Sequence, residues 1–304
     1  MISLRYHVVT IVAIFLALAI GTLAGAAFVQ PALQEELQNQ TDRLQRNNDG
    51  LRAEVDDLRA QMTGLGDFVD AVAPSLTQDR LSGTPVILVT QAGVEEDVLT
   101  QAKAALDNAG ADVLTTVSAT DELVSEDPAT QEQLATIVGE PTASADELPT
   151  LAAQALAQGL SPSTSVVGGD VLDQLLSAGF LAPVGSGPSQ STLDEVGQPG
   201  QVVVVLSGGR GDEPPLAPEA FAVPLVTRLA ELNVPVAAGE SLLSDYPYVS
   251  LVRADGTDGT VTVDDLDRTM GGAALVLGLE DLIATGDGGA YGVKDGADPL
   301  PPLS

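Results

Sequence analysis

Residues able to do chemistry are scarce in this chain, and their scarcity narrows the field. His7 is the single histidine of 304 residues, and there is no cysteine. A serine beyond the first residues therefore has no histidine base, and a cysteine nucleophile is excluded. Zinc sites built from His and Cys fall with them. What remains is carboxylate: 43 Asp and Glu face 12 Lys and Arg, for a net charge of −31. Asp255, Asp258, Asp264, Asp265 and Asp267 form an acidic stretch of the kind calcium uses, but the D-x-D-x-D-G order of an EF-hand loop is missing. Asp-Gly pairs at 255–256 and 258–259 read instead as a hairpin turn, and Asp264 as a cap on a short helical turn. The run VVVVLSGGRG at 202–211 is a strand entering a Gly-rich turn, a shape that can cradle phosphate. It lacks the Walker lysine and the GxGxxG spacing, and Asp212 and Glu213 follow at once, so a tight turn is the better reading. No carboxylate pair stands out for glycoside hydrolysis. The expectation is a protein that is not an enzyme and holds no cofactor.

The elements that would position these residues begin with an apolar helix. Val8 to Val29 runs 22 residues without a charge, roughly 33 Å as a helix, which crosses a hydrocarbon core of about 30 Å once. Arg5 and the amino terminus precede the run, whereas Glu35 and Glu36 are the first charges after it. The positive-inside rule then puts the N-terminus in the cytoplasm and residues 31–304 outside. Ala24-Gly25-Ala26 offers the alternative of a cleaved signal peptide, against which stands the length of the apolar run. Residues 1–30 are thus read as a transmembrane anchor. Ala13, Ala17, Gly21 and Gly25 recur every four residues and form a small-residue face for helix packing in lipid.

A leucine seam follows. Leu37, Leu44, Leu51, Leu58 and Leu65 are spaced by seven, with Asn48 and Val55 among the intervening a positions. Leu at d with Asn at one a position is the pattern of a parallel two-stranded coiled coil, and Glu54 and Arg59 are placed to attract across it. Polar Gln34, Thr41 and Asn48 weaken the a layer, and a shared anchor would offset that by raising local concentration. Residues 31–66 are read as a coiled-coil stalk of a homodimer, opened by Pro31 and ended by Gly64 and Gly66, with Pro74 confirming the break. The alternative is a solitary amphipathic helix packed on the remaining domain.

Residues 80–304 read as an extracytoplasmic α/β domain with a mostly parallel sheet. Pro85–Thr90 is a continuous apolar strand, 95–108 a helix, 111–117 a second strand, and a further acidic-nosed helix starts at Thr120. Helices are expected near 129–138, 146–158, 170–179 and 217–232, and strands at 201–207, 234–238, 248–253, 260–263 and 273–279. Residues 182–200, rich in Pro, Gly, Ser and Gln, read as an internal linker, and the tail after Gly286 as irregular. One α/β unit and two tandem ones both fit. The acidic balance repels phosphate backbones, so nucleic acid is not an expected partner.

The opening MISLRYHVVTIVAIFLALAIGTLAG, the stalk directly after it, TVDDLD at 262–267 and LVLGLEDLIATGDGGAYG at 275–292 resemble the mycobacterial copper transport protein B (MctB) family, in order along the whole chain. The resemblance implies a role in copper efflux or copper homeostasis across the cell envelope, with copper as cargo, and a proposed pore in an outer membrane. The residues carry only part of this. Copper favours thiolate, thioether or imidazole ligands, and beyond residue 7 only Met62 and Met270 offer one. A transmembrane barrel needs alternating strands and aromatic girdles, whereas this chain has five Phe, four Tyr and no Trp. An interaction protein, a dimeric stalk presenting an α/β domain to envelope or cell-wall partners, is the alternative function.

Overall fold

The computed structural model describes residues 4–162, 168–185, 187–211, 214–254, 256, 258–298 and 300–301. Within its helices the side chains of 4–5, 26–37, 168–169 and 190–191 lie outside that description, and so do the expectations resting on Leu37, Asp212, Glu213 and Asp255. The chain forms two compact units, Met1–Asp67 and Phe68–Ser304.

Helix α1 runs from Leu4 to Thr77 without interruption. It passes through Pro31, Gly64, Gly66 and Pro74, so the expected second start and the expected end at Gly64 and Gly66 are both corrected. Glycine lowers helix stability by only about 1 kcal/mol per residue, and an interior proline, through a lost backbone bond and a ring clash, by about 3 kcal/mol. Neither stops a helix whose end is held elsewhere. Here Asn108 donates through Nδ2 to the Pro74 carbonyl at 2.9 Å and to Thr77 Oγ1 at 2.8 Å, satisfying acceptors of the last turn.

The remainder is a single α/β unit, which settles the choice between one unit and two. Its seven strands are β1 (Pro85–Gln91), β2 (Asp112–Ala119), β3 (Leu181–Pro183), β4 (Val202–Leu206), β5 (Val236–Gly239), β6 (Thr260–Val263) and β7 (Gly289–Tyr291). They form one sheet in the order β3-β2-β1-β4-β5-β6-β7, parallel except for β3, which runs antiparallel to β2. Chain order reverses between β1 and β4, so the sheet is doubly wound.

Helices cover both faces. On one side lie α2 (Glu96–Asn108) and α9 (Thr269–Thr285). On the other lie α3 (Pro128–Val138), α4 (Leu148–Gly159), α5 (Gly168–Ser177), α7 (Ala222–Glu231) and α8 (Val249–Ala254). The short α6 (Gln190–Glu195) opens on a Ser189 cap. Burial on both faces explains the near-continuous apolar strands: Ile87, Val89, Val203 and Val205 point into one core, and Val86, Leu88, Val202 and Val204 into the other.

Several expectations are corrected here. Residues 248–253 and 273–279, read as strands, are α8 and part of α9. A helix buried on almost every side shows no helical period and looks like a buried strand. Gly278 of α9 lies so close to β6 that a Cβ there would stand 2.9 Å from Val261 Cγ1. Residues 182–200 carry the end of edge strand β3 and helix α6, with Leu193 and Val196 buried, and the tail after Gly286 supplies β7. Strand β6, which opens at Thr260, pairs in parallel with β5.

Candidate functional site

The carboxyl edge of a doubly wound sheet, at its switch point, is where this architecture admits ligands. Here that point, between β1 and β4, is filled. The Gln91 side chain takes the Ser207 hydroxyl and donates through Nε2 to the Leu216 carbonyl at 3.3 Å. Gly209 approaches Gly93 so closely that a Cβ would stand 2.5 Å from the Gly93 carbonyl oxygen. Arg210 Nε pairs with Glu95 Oε1 at 3.0 Å. The Gly-rich turn after β4 thus serves close backbone packing.

Charge gathers instead at the carboxyl ends of β5, β6 and β7. Glu240 follows β5 directly and is wholly buried. Its Oε2 accepts the backbone N–H groups of Tyr248 at 2.7 Å and Val249 at 3.2 Å, and its Oε1 accepts Lys294 Nζ at 2.7 Å. Asp264 follows β6 and is equally buried. One oxygen takes Arg253 at 2.7 Å, and the other takes the N–H groups of Val293 at 2.8 Å and Lys294 at 3.2 Å. Asp264 is therefore an ion-pair partner and not a helix cap. Arg253 also donates to Thr262 Oγ1 and to the Tyr291 carbonyl, both at 2.9 Å. The Tyr248 hydroxyl accepts the Gly239 N–H at 2.9 Å and donates to the Val205 carbonyl. Burial, then the Glu240 charge, holds its phenol well above the ordinary tyrosine range.

Asp265 and Asp267 complete the acidic stretch. Asp267 Oδ1 accepts the Leu242 N–H at 2.7 Å. Asp265 is buried with neither carboxylate oxygen hydrogen-bonded. Burial first, then the neighbouring Asp264 and Asp267 charges, push its carboxyl up to about 6. Among the described residues no group of three or more His, Cys, Asp or Glu is arranged to hold a metal ion. Met270 lies half-buried in the first turn of α9, and Met62 is exposed on α1.

Sequence reasoning singled out Asp264, Asp265 and Asp267 but missed Glu240, Tyr248, Arg253 and Lys294. One signal was present: Lys294 is one of only two lysines in the chain, the other being Lys103. A solvent-exposed charge face would have had no reason to be that selective.

The other sequence-derived positions lie on α1, within Met1–Asp67. Tyr6–Gly25 is helical and, by length and composition, able to cross a membrane. Ala13, Ala17, Gly21 and Gly25 are exposed on it, with open space around both glycines. Leu44, Asn48, Leu51, Val55, Leu58 and Leu65 are exposed too, the leucines by 52–70%. In the single chain this seam covers nothing.

The fold and edge together define a class: one apolar helix of membrane-spanning length, leading to a doubly wound α/β unit whose carboxyl edge is closed by buried ion pairs. The chain belongs to the MctB family, whose model, described as "Copper transport outer membrane protein, MctB", matches residues 1–302. It is similar to the copper transporter MctB of Mycobacterium leprae (strain TN), at 30% identity over 326 residues, and to that of Mycobacterium tuberculosis (strain ATCC 25618 / H37Rv), at 28% over 323 residues. Each alignment covers 98% of both chains. The motif TVDDLD, one of those that carried the resemblance, supplies Thr262, Asp264, Asp265 and Asp267 of the edge cluster.

Proposed function

We propose that this protein acts in copper homeostasis at the cell envelope, without enzymatic chemistry and without a resident cofactor, copper being its cargo. The observation that carries the reading is the match to a copper-transport family over residues 1–302. In this reading the apolar first part of α1 stays in the membrane with its N-terminus in the cytoplasm, and residues 31–304 lie outside it, a topology supported by the charges flanking the apolar run. The family's description as a copper transport outer membrane protein supports a place in the envelope.

The protein works as a parallel homodimer, in which Leu44, Leu51, Leu58 and Leu65 of two α1 helices interlock around Asn48 and Val55. Their exposure supports this, because an apolar seam in water is stabilised by a partner of the same period. The same exposure favours the second reading, in which the dimer presents its α/β unit to envelope proteins and has no part in copper handling.

Copper tolerance separates the two. A deletion strain is complemented with the full chain or with residues 31–304 behind a cleavable signal. Copper sensitivity rescued only by the anchored form supports the first reading. Unchanged tolerance, with sensitivity to other envelope stress, supports the second.

A further inference from the structure

Four carboxylates crowd the ends of β5 and β6, and three are answered. Glu240 meets Lys294 and two backbone N–H groups, Asp264 meets Arg253 and two others, and Asp267 meets the Leu242 N–H. Asp265 is buried with no hydrogen-bond partner for either carboxylate oxygen, and the nearby Arg268 charge and its own backbone offset only part of the cost of ionising it. A buried carboxylate without donors is costly when ionised and tolerable when neutral. The start of α9 packs closely against Asp265. Gly271, in the first turn of α9, sits against the Asp265 backbone and side chain: a Cβ there would stand 2.8 Å from Oδ1.

The charged groups that bear on Asp265 are few. From its own turn these are Asp264, Asp267 and Arg268, two repelling its charge and one attracting it. The first turn of α9, Thr269 to Gly272, carries no ionisable side chain, and α2 meets Gly272 through Ala105 and Gln101. From β5 the nearest charge in sequence, Glu240, is already matched by Lys294. The turn is fastened to the end of β5 by two bonds, Leu266 N–H to the Glu240 carbonyl at 3.0 Å and Leu242 N–H to Asp267 at 2.7 Å.

We propose that Asp265 is a proton-operated catch: protonated, it lets the 264–272 turn and the start of α9 close over the ends of β5 and β6, and its ionisation releases them. The proton is taken from and returned to solvent, so the device reports the acidity of the solvent around the domain. It is independent of the copper reading, and it concerns residues within Phe68–Ser304 only.

The test uses the full chain in detergent micelles. Hydrogen exchange of the 264–275 amides is followed from pH 4.5 to 8, corrected for intrinsic exchange, with the β1 and β4 amides as internal reference. Protection of the turn is expected to fall by about thirtyfold across this range relative to the strands, as linkage requires of a carboxyl raised to about 6 when the turn is closed. In Asp265→Asn, protection should stay level. A wild-type turn whose protection follows the strands at every pH overturns the proposal, as does an equal fall in the variant. Carboxyl carbon NMR of the unmodified chain guards against a variant that fails to fold. Titration of Asp265 near 6 supports the catch, and titration near 4 refutes it. A divalent cation, calcium or copper, that abolishes the fall in protection at equal pH also refutes it, since Asp265 would then be a ligand.

Discussion

Helix α1 and the α/β unit treat apolar surface and charge in opposite ways. Along α1 the leucines of the seam are exposed, and the charged residues around them, such as the Asp56–Arg59 pair, are about three-quarters exposed as well. In Phe68–Ser304 the apolar strands are covered on both faces, and even charges are buried, Glu240 and Asp264 completely. An exposed ion pair contributes about 0–1 kcal/mol. A buried one is a different object, because its loss leaves a charge without water or partner. The comparison teaches where specificity resides in each region: in the period of the apolar residues for α1, and in the pairing of the polar ones for the domain.

The sharpest way to break that contrast is to remove one half of a buried pair. Asp264→Ala strands Arg253, which is only 13% exposed, and frees the Val293 and Lys294 amides. Urea unfolding of the domain should show a loss of about 3–5 kcal/mol, with the helical signal of α1 retained. Lys294→Met should cost less, because Lys294 is more exposed than Arg253 and Glu240 keeps its two amide donors.

Acidity sharpens the same contrast with the opposite sign. Asp265 has a folded-state pKa above its unfolded value, so the folded chain binds the extra proton between about pH 4 and 6. Its contribution is fully present below the unfolded value of 3.8 and is lost as pH rises through about 6, a difference of about 2 kcal/mol between pH 4 and 8. Asp265→Asn should remove that part of the pH dependence and leave the domain more stable than wild type at pH 8, measured by unfolding at both pH values.

Disrupting α1 should leave the domain untouched. Replacing Leu51 and Leu58 together by Lys is expected to abolish dimer formation, read by sedimentation in matched-density detergent, while the urea midpoint of the domain stays constant. The smallest effect belongs to Glu54→Lys, which turns attraction to Arg59 into repulsion. It should weaken the dimer by about 0.5–1 kcal/mol, and Arg59→Glu in the same chain should restore it. A monomeric wild-type chain at micromolar concentration would refute the dimer outright.

What could be read from the residues followed the reach of each interaction. The strands β1 and β4, the helix α2 and the apolar span of α1 are coded locally, by continuous or periodic runs within a single window. Helix α9 was hidden because Ala273–Leu279 is buried all round, which erases the period that would separate it from a strand. The end of α1 was misplaced because its stop depends on Asn108, a residue 31–34 positions away, and not on the glycines nearby. The edge cluster shows the same limit. Glu240 and Lys294 lie 54 residues apart, and only the order of β5, β6 and β7 in the sheet brings them together.

The bond between Gln91 and Ser207 and the contact of Gly93 with Gly209 carry a consequence for engineering. In a doubly wound scaffold the gap between the first and fourth strands is the natural socket for a cofactor. Here it is taken up by two polar side chains and two closely packed backbones. Trimming Gln91 to Gly would carve a polar niche against Ser207 and the Leu216 carbonyl, giving a designer a vacant berth in a scaffold that otherwise offers none at that position.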